Sequence, residues 1–236
     1  MKAAVVGYGA MGKILSEMLG DDLFLNVAPE CEHKNFDKVE KPEVIIDFSN
    51  PANLDMIYDY VKATKTPVVF ATTGYTPEQL AKIDELSKVA PVLRSANFSL
   101  GVIVLNRLVK EVTPLLEGYD IEIVEAHHNK KVDAPSGTAK MLLKSAQDAT
   151  GYDAKPGRDG YCPRAKNEIG VHAVRGGTIV GEHEVMYCGT DEVITLKHSA
   201  QSKKIFANGA IKAAKWLKDQ KPGFYDMEDV LFGANK

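Results

Sequence analysis

The sequence predicts an α/β fold made of two parts, and three observations support this prediction. Short apolar runs alternate with amphipathic segments in the first part of the chain, as in a parallel sheet covered by helices. Residues 170–200 contain three strand-like runs in succession, which favours an antiparallel or mixed sheet. Residues 206–218 return to a helical pattern. We therefore predict a parallel-sheet domain in the first half of the chain and a second, smaller α+β domain after it.

The composition excludes several classes of partner. The 236 residues include 29 Lys and Arg against 32 Asp and Glu, a formal net charge of −3 at pH 7. Such a chain lacks the basic face that nucleic acids and anionic membranes require, so we expect neither as a partner. The three cysteines, Cys31, Cys162 and Cys188, are far apart and form no CxxC pair. We therefore expect no disulfide framework, no metal site and a reducing, cytoplasmic location.

Five short apolar runs are the predicted strands of the first domain, at residues 2–6, 24–28, 44–48, 67–71 and 91–94. Helical spacing of apolar residues follows the first and third runs, as with Leu54, Ile57 and Val61. Thr76 and Pro77 predict the start of another helix, because Thr favours the N-cap and Pro the first helical position. Strands and helices that alternate in this way predict parallel pairing.

The second domain is predicted to begin with a long helix over residues 99–116 and a strand over residues 120–125. Its three later strand-like runs are residues 171–174, 178–187 and 192–198. The glycine-containing segments 175–177 and 189–191 separate these runs and are interpreted as hairpin-type breaks. Residues 155–166 contain several Pro and Gly and predict a mobile loop.

The first motif is Gly7-Tyr8-Gly9-Ala10-Met11-Gly12, a G-x-G-x-x-G pattern between a predicted strand and a predicted helix. In such a turn Gly7 allows the tight bend, Gly9 lets the backbone approach a pyrophosphate, and Gly12 lets the helix pack on the strand. The N–H groups at the helix start then hold the phosphates. A glycine-rich turn without a ligand is the alternative. The position of the motif favours a Rossmann dinucleotide-binding domain.

Charged residues near the second strand leave the type of dinucleotide open. Glu30 and Glu32 could accept a hydrogen bond from a ribose 2′-hydroxyl, which favours NAD. His33, Lys34 and Lys13 could meet a 2′-phosphate, which favours NADP. Each of these side chains could equally be a solvated loop residue.

The second motif spans residues 125–139, where a predicted strand ends in His127 and His128. Histidine is the side chain best suited to donate a proton near neutral pH, and Lys131 adds positive charge. Ser136-Gly137-Thr138 opens a helix, and its N–H groups and hydroxyls can cradle a carboxylate at the positive helix end. The segment therefore predicts a pocket for a small dianionic acid that is protonated.

Each feature of this motif also has a simpler interpretation. His127 and His128 could be strand-end residues with ordinary hydrogen bonds, and Ser136 could be only an N-cap. The two histidines could also be metal ligands, but adjacent strand residues point in opposite directions and no third ligand is evident.

The order of residues 125–139, E-A-H-H-N-K-K-V-D-A-P-S-G-T-A, matches the signature E-A-H-H-x-x-K-x-D-A-P-S-G-T-A at every specified position. Through this segment the chain resembles the dihydrodipicolinate reductase family. Further matches lie at residues 47–49, 71–74, 95–98, 175–177 and 206–210. The glycine motif departs from the G-x-x-G-x-x-G of some members, and Lys203 stands where some relatives have arginine.

The resemblance implies roles for individual residues. His127 would donate the proton, and Lys131 would be the second catalytic group. The substrate carboxylates would be bound by His128, Lys131, Ser136, Gly137 and Thr138. The cofactor-binding residues would be Gly7, Tyr8, Gly9, Ala10, Met11, Gly12, Ala71, Thr72, Thr73, Ser95, Ala96, Asn97 and Phe98, with those from Thr72 onward lining the nicotinamide.

The resemblance further implies an oxidoreductase that uses NADPH or NADH to reduce 4-hydroxy-tetrahydrodipicolinate (dihydrodipicolinate) to tetrahydrodipicolinate in lysine and diaminopimelate biosynthesis. It implies a Rossmann dinucleotide-binding domain of residues 1–98 that is completed by the C-terminal segment 206–236. It also implies a smaller mixed-sheet substrate domain of residues 99–205, through which homotetramers form. Two other functions stay open from the residues alone. One is a different Rossmann oxidoreductase for another small acid or sugar, and the other is a dinucleotide-sensing module without turnover.

Overall fold

A computed structural model describes residues 1–36 and 40–233 of the chain. Over these residues the strands are β1 (Ala3–Val6), β2 (Leu23–Val27), β3 (Val44–Asp47), β4 (Val68–Phe70), β5 (Pro91–Arg94), β6 (Asp120–His127), β7 (Asp153–Pro156), β8 (Glu168–Arg175), β9 (Gly181–Cys188), β10 (Val193–Ala200) and β11 (Gly223–Tyr225). The helices are α1 (Ala10–Leu19), α2 (Leu54–Thr64), α3 (Pro77–Ser87), α4 (Leu100–Val112), α5 (Gly137–Thr150), α6 (Lys204–Leu217) and α7 (Met227–Phe232). The chain separates into two compact units, residues 1–100 with 204–236, and residues 101–203.

The first unit contains a parallel sheet with the strand order β11-β5-β4-β3-β1-β2. All residues of β1, β3 and β4 are buried, because helices cover both faces of these strands. Helices α1 and α6 pack against each other, and α2 packs against α3. The strand order reverses beside β1, and open α/β sheets bind ligands at the carboxyl ends of the strands at such a switch point.

The second unit contains a mixed sheet with the order β10-β9-β6-β8-β7. Its central strand, β6, runs parallel to β8 and antiparallel to β9. One face of the sheet is apolar near the start of β6, where Ile121, Ile123 and Tyr187 pack with α4 and α5 in a shared core. Towards the end of β6 the same face becomes polar, with Glu125 and His127 continuing the alternation of buried positions.

Two expectations about local structure were wrong. Segment 175–177 is not a hairpin, because β8 and β9 are not neighbours and β6 lies between them. The predicted loop over 155–166 begins too early, since Lys155 and Pro156 belong to β7 and pair with β8. Two elements for which no prediction was made follow α6: β11, which pairs in parallel with β5, and α7.

None of the helices in the described part of the chain combines the length and the apolar character needed to cross a bilayer.

Candidate active site

The glycine motif forms the turn between β1 and α1. Gly7 has a φ of 98°, and a Cβ there would lie 2.5 Å from the carbonyl oxygen of Phe48. A Cβ at Gly12 would overlap the carbonyl of Gly7. At Gly9, in contrast, no other atom lies within 4 Å of the Cβ position. Two of the glycines are therefore required by the fold, and the third leaves open space that suits a pyrophosphate.

A cavity of about 260 Å³ lies beside this turn, at the carboxyl ends of β1, β2 and β3. It is lined by Gly7, Tyr8, Gly9, Val27, Ala28, Pro29, Glu30, Lys34, Phe48, Ser49, Asn50, Asn53 and Met56. Glu30 and Lys34 both border it, whereas Glu32 and His33 line a neighbouring cavity together with Tyr8. The structure therefore places one acidic side chain, Glu30, and one basic side chain, Lys34, at the same cavity.

A buried carboxyl group organises the next strand ends. Asp47, at the end of β3, is fully buried and accepts hydrogen bonds from Ser49 Oγ at 2.5 Å and Tyr75 Oη at 2.8 Å. Burial raises the pKa of Asp47 above its usual value, against the effect of these hydrogen bonds. The Ser49 N–H donates to Thr72 Oγ1 at 2.8 Å. This network fixes a predicted cofactor residue, Thr72, through side chains to which sequence reasoning gave no role.

The other predicted cofactor residues follow β4 and β5, at the same edge of the sheet. The Ala71 N–H donates to the Asp47 carbonyl at 2.9 Å, and Thr73 is exposed. After β5, Ala96 is exposed and Phe98 is buried, with its ring centroid 6.2 Å from that of Phe48. The residues predicted from the glycine turn to residue 98 thus lie at the carboxyl ends of β1, β4 and β5, which belong to the same parallel sheet.

In the second unit, Glu125 is the centre of a buried polar cluster on β6. It is completely buried, and its Oε2 lies 2.5 Å from His127 Nδ1. Arg175, at the end of β8, donates to both carboxylate oxygens, through Nη1 at 2.9 Å and Nη2 at 2.8 Å. The N–H of Ser136 donates to Oε1 at 3.1 Å. One carboxylate therefore holds both His127 and the residue that caps α5.

The charge of Glu125 is maintained by these neighbours. Burial alone would raise the pKa of this carboxyl, but the hydrogen bonds from Arg175, His127 and the Ser136 N–H outweigh it and hold the pKa below its usual value. The bidentate guanidinium also donates to the Asp133 carbonyl at 2.8 Å, which ties the loop after β6 to the sheet.

Ser136 begins α5 as its N-cap. Its Oγ accepts from the Ala139 N–H at 3.1 Å and lies 2.9 Å from His183 Nε2. His183, on β9, is buried, and its ring centroid is 5.1 Å from that of His127. Burial, followed by the nearby His127 ring, lowers the pKa of His183 to about 4, so this imidazole is neutral at pH 7. Ser136 is thus a cap, as the simpler interpretation held, and also part of the polar cluster.

The remaining predicted residues surround the start of α5. His128 and Thr138 are half-buried, and Gly137 is exposed. Lys131 Nζ pairs with Asp133 Oδ1 at 2.7 Å, and this contact lowers the pKa of Asp133. The Lys131 N–H donates to the His128 carbonyl at 3.1 Å, so residues 128–131 form a turn. Among the described residues, no group of three or more His, Cys, Asp or Glu side chains could hold a metal ion.

Sequence reasoning missed Arg175, His183 and Gly181 as members of the cluster. A Cβ at Gly181 would lie 3.1 Å from His127 Nε2, so this glycine leaves room for the ring. Arg175 and His183 reach Glu125 and Ser136 only through strand pairing, 50 and 47 residues away along the chain. In the sequence, Arg175 was marked only by its place at a predicted strand end and by the two glycines that follow it.

Family models match the two parts of the chain separately. Residues 1–98 match the model described as "Dihydrodipicolinate reductase, N-terminus", and residues 101–231 match "Dihydrodipicolinate reductase, C-terminus". The chain is 43% identical over 242 residues to the 4-hydroxy-tetrahydrodipicolinate reductase of Clostridium novyi, covering 96% of each chain. It is 45% identical over 233 residues to that of Brachyspira hyodysenteriae, covering 98% of this chain and 100% of the relative.

Solved structures show the same fold. The dipicolinate-bound dihydrodipicolinate reductase of Paenisporosarcina sp. TG-14 superposes with a TM-score of 0.78 at 19% identity, over 98% of this chain and 99% of the other. A myo-inositol dehydrogenase of Corynebacterium glutamicum gives a TM-score of 0.57 at 15% identity, over 99% and 93% of the two chains. With both family models matched in order and relatives above 40% identity along almost all of its length, the chain belongs to the dihydrodipicolinate reductase family.

Proposed function

We propose that this chain reduces 4-hydroxy-tetrahydrodipicolinate to tetrahydrodipicolinate with NADH or NADPH, in lysine and diaminopimelate biosynthesis. The main support for the proposal is the carboxylate of Glu125, which contacts both His127 and Ser136. It binds His127 through one oxygen and the Ser136 N–H through the other, so a proton donor stands beside a helix N-terminus. This is the combination that a small anionic substrate requires if it is to be bound and protonated.

The first unit is proposed to hold the dinucleotide. The glycine turn, with open space at Gly9, fits the pyrophosphate, and the residues after β4 and β5 are proposed to line the nicotinamide. When bound, NADH or NADPH supplies the hydride. Glu30 and Lys34 border the same cavity, and their opposite charges suit the ribose hydroxyl of NADH and the phosphate of NADPH respectively.

The second unit is proposed to hold the substrate. The N–H groups of Gly137 and Thr138, at the positive end of α5, would bind one carboxylate, with His128 beside them. Lys131 would add a positive charge to the same site, and its contact with Asp133 would open when the substrate binds. His127 would donate the proton that accompanies reduction. Fixing the substrate by its carboxylates supplies orientation, which accounts for part of the rate.

The cytoplasmic location and the homotetramer belong to this proposal as well. Val174 and Val193, on strands of the mixed sheet, are 48% and 57% exposed, which supports assembly through this sheet. Sedimentation equilibrium of the purified chain tests the tetramer, and a monomer at micromolar concentration would contradict it.

The activity is tested by coupling the purified protein to dihydrodipicolinate synthase, pyruvate and aspartate semialdehyde. Loss of NADH and of NADPH is followed in parallel, with the synthase omitted as the control. We expect synthase-dependent oxidation of at least one dinucleotide. If both dinucleotides bind but neither is consumed, the chain is a dinucleotide-sensing module or a reductase for another substrate.

The role of His127 is tested by His127→Gln. We expect kcat to fall about 100-fold or more, because general acid catalysis typically contributes that much, while the affinity for the dinucleotide stays unchanged. His172→Gln is the matched control, since His172 lies on β8 and contacts Glu122 at 2.8 Å instead of Glu125. Normal turnover in the His127 variant would exclude it as the proton donor.

A further inference from the structure

Glu125 is surrounded by hydrogen-bond donors. Its Oε1 accepts from the Ser136 N–H and Arg175 Nη2, and its Oε2 accepts from Arg175 Nη1 and contacts His127 Nδ1. Three of these four groups are N–H donors that cannot accept. A carboxylate that faces them is an acceptor only, so it has no proton to give to His127. The fourth contact is therefore a hydrogen bond from His127 Nδ1–H.

This assignment decides which ring nitrogen of His127 can exchange a proton. With Nδ1–H committed to Glu125, the proton that can leave the imidazolium is the one on Nε2. Nε2 lies on the side of the ring that faces Gly181, where a Cβ would lie only 3.1 Å from this nitrogen, so the glycine keeps that edge of the ring free of a side chain. After transfer the ring remains as the neutral Nδ1–H tautomer, and Glu125 keeps its hydrogen bond.

We propose that Glu125, clamped by Arg175, is the positioning residue of His127: it fixes the ring orientation and the tautomer, so that Nε2 delivers the proton. This inference rests on the proposed function, because it assigns His127 as the donor. Glu125 itself touches no substrate in this scheme and acts through the imidazole. Arg175 in turn prevents the carboxylate from rotating, because its two donors bind both oxygens.

An amide cannot replace the carboxylate. In Glu125→Gln one of the two oxygens becomes an NH₂ group, which must then face either His127 Nδ1 with Arg175 Nη1, or the Ser136 N–H with Arg175 Nη2. In the first arrangement His127 must accept at Nδ1, which moves its proton to Nε2. In the second arrangement three donors meet without an acceptor. The first arrangement loses the productive tautomer, and the second keeps it only at the cost of buried donors that have no acceptor.

The titratable and charged groups around His127 set the direction of the pH effect. Glu125 on β6 is the anion that contacts it, Arg175 on β8 and Lys131 in the following turn are cationic, and His183 on β9 is neutral. Removing the charge of Glu125 leaves the cations and therefore disfavours the imidazolium. Since a general acid must be protonated, the alkaline limb of the kcat profile is expected to move to lower pH.

The wild-type protein provides the first test, without any variant of Glu125. Protein labelled with ring-¹⁵N histidine is examined by two-bond ¹H–¹⁵N correlation, with His127→Gln identifying the signals of His127. We expect the neutral ring to be the Nδ1–H tautomer. An Nε2–H tautomer would overturn the proposed positioning role of Glu125, but it would not exclude His127 as the proton donor.

The second test compares Glu125→Gln with Glu122→Gln in the coupled assay. Glu122 is a matched control, because it lies on the same strand, contacts Arg164 and His172, and is on the opposite face of the sheet. For Glu125→Gln we expect kcat to fall about 10- to 100-fold, as for the loss of one charge-assisted hydrogen bond, and the alkaline limb to move down by about one pH unit or more. Glu125→Asp, which keeps the charge, should restore the position of that limb.

The outcomes of these tests separate the two proposals. If Glu125→Gln retains the wild-type pH profile, or if Glu122→Gln shifts the profile equally, the positioning role is wrong. If His127→Gln retains full turnover, the proposed function of His127 fails first, whatever the tautomer. If Glu125→Gln does not fold, the tautomer measurement on the wild-type protein and the Glu125→Asp profile still decide the question.

Discussion

His183 shows how the environment of one residue couples the site to stability. It is buried, and its Nε2 lies 2.9 Å from the Ser136 hydroxyl. Its pKa of about 4 lies below the 6.5 of an ordinary histidine, mainly because burial disfavours the charged ring. His198, opposite His183 on β10, is shifted in the same direction by burial. Folding therefore favours the neutral rings of His183 and His198, and this preference costs stability as the pH falls.

From this shift we predict a loss of stability at acid pH. Below pH 6.5 the unfolded chain takes up a proton at His183 that the folded chain does not bind until about pH 4. Stability that is present above pH 6.5 is therefore lost as the pH falls, by about 3 kcal/mol at pH 4. His183→Gln lacks this titratable group, so the free energy of unfolding of the variant should fall less steeply than that of the wild type as the pH decreases. Urea unfolding at a series of pH values measures this, and parallel curves would contradict it.

The three glycines of the first turn have different roles, which a pair of substitutions separates. Gly12→Ala places a methyl group on the Gly7 carbonyl and should lower the free energy of unfolding by about 1–3 kcal/mol. Gly9→Ala meets no protein atom within 4 Å, so it should leave stability nearly unchanged and weaken dinucleotide binding at least tenfold. Urea unfolding and fluorescence titration with NADH measure the two effects. Equal dinucleotide affinity in Gly9→Ala and wild type would argue against a pyrophosphate at this turn.

At the scale of elements, the N-terminus of α5 has both a structural and a functional role. Ser136→Ala removes the cap of the Ala139 N–H and should cost about 1 kcal/mol of stability. Thr76→Ala is a matched control, because Thr76 caps α3 in the same way through the Gln79 N–H. We expect both variants to be destabilised and only Ser136→Ala to raise the KM for the substrate. A similar rise in the Thr76 variant would mean that the effect is a general loss of stability.

Strand β6 illustrates which elements the sequence can predict. Its alternation of buried and accessible residues extends from the apolar core into the polar cluster, and the period of two is visible in the sequence. Strand β7 shows the opposite case, since three of its four residues are exposed and it occupies an edge, so no apolar pattern marks it. Strand β11 has only three residues and begins at the glycine of a Lys-Pro-Gly segment, which normally signals a turn.

At the scale of the whole molecule, the two sites differ in how far they could be predicted. The glycine turn and the segment 125–139 are continuous in sequence, so their residue types alone indicated the chemistry. The partners Arg175 and His183 join the site through the register of β8 and β9 with β6. A single sequence does not reveal such register. It also suggested a β8–β9 hairpin, which would have paired these two strands directly with each other, whereas β6 lies between them.

The path of the chain through the first unit has a consequence for biosynthesis. Strands β1 to β5 are complete by residue 94, but α6, whose buried Ala207, Ala210 and Ala213 pack on this sheet, begins only at Lys204. At translation rates of about 5–20 residues per second, the nascent sheet waits on the order of ten seconds for its covering helix. Residues 101–203 can meanwhile complete a continuous unit. During this interval the apolar residues that α6 later covers stay accessible, and transiently exposed apolar surface of this kind is prone to aggregation.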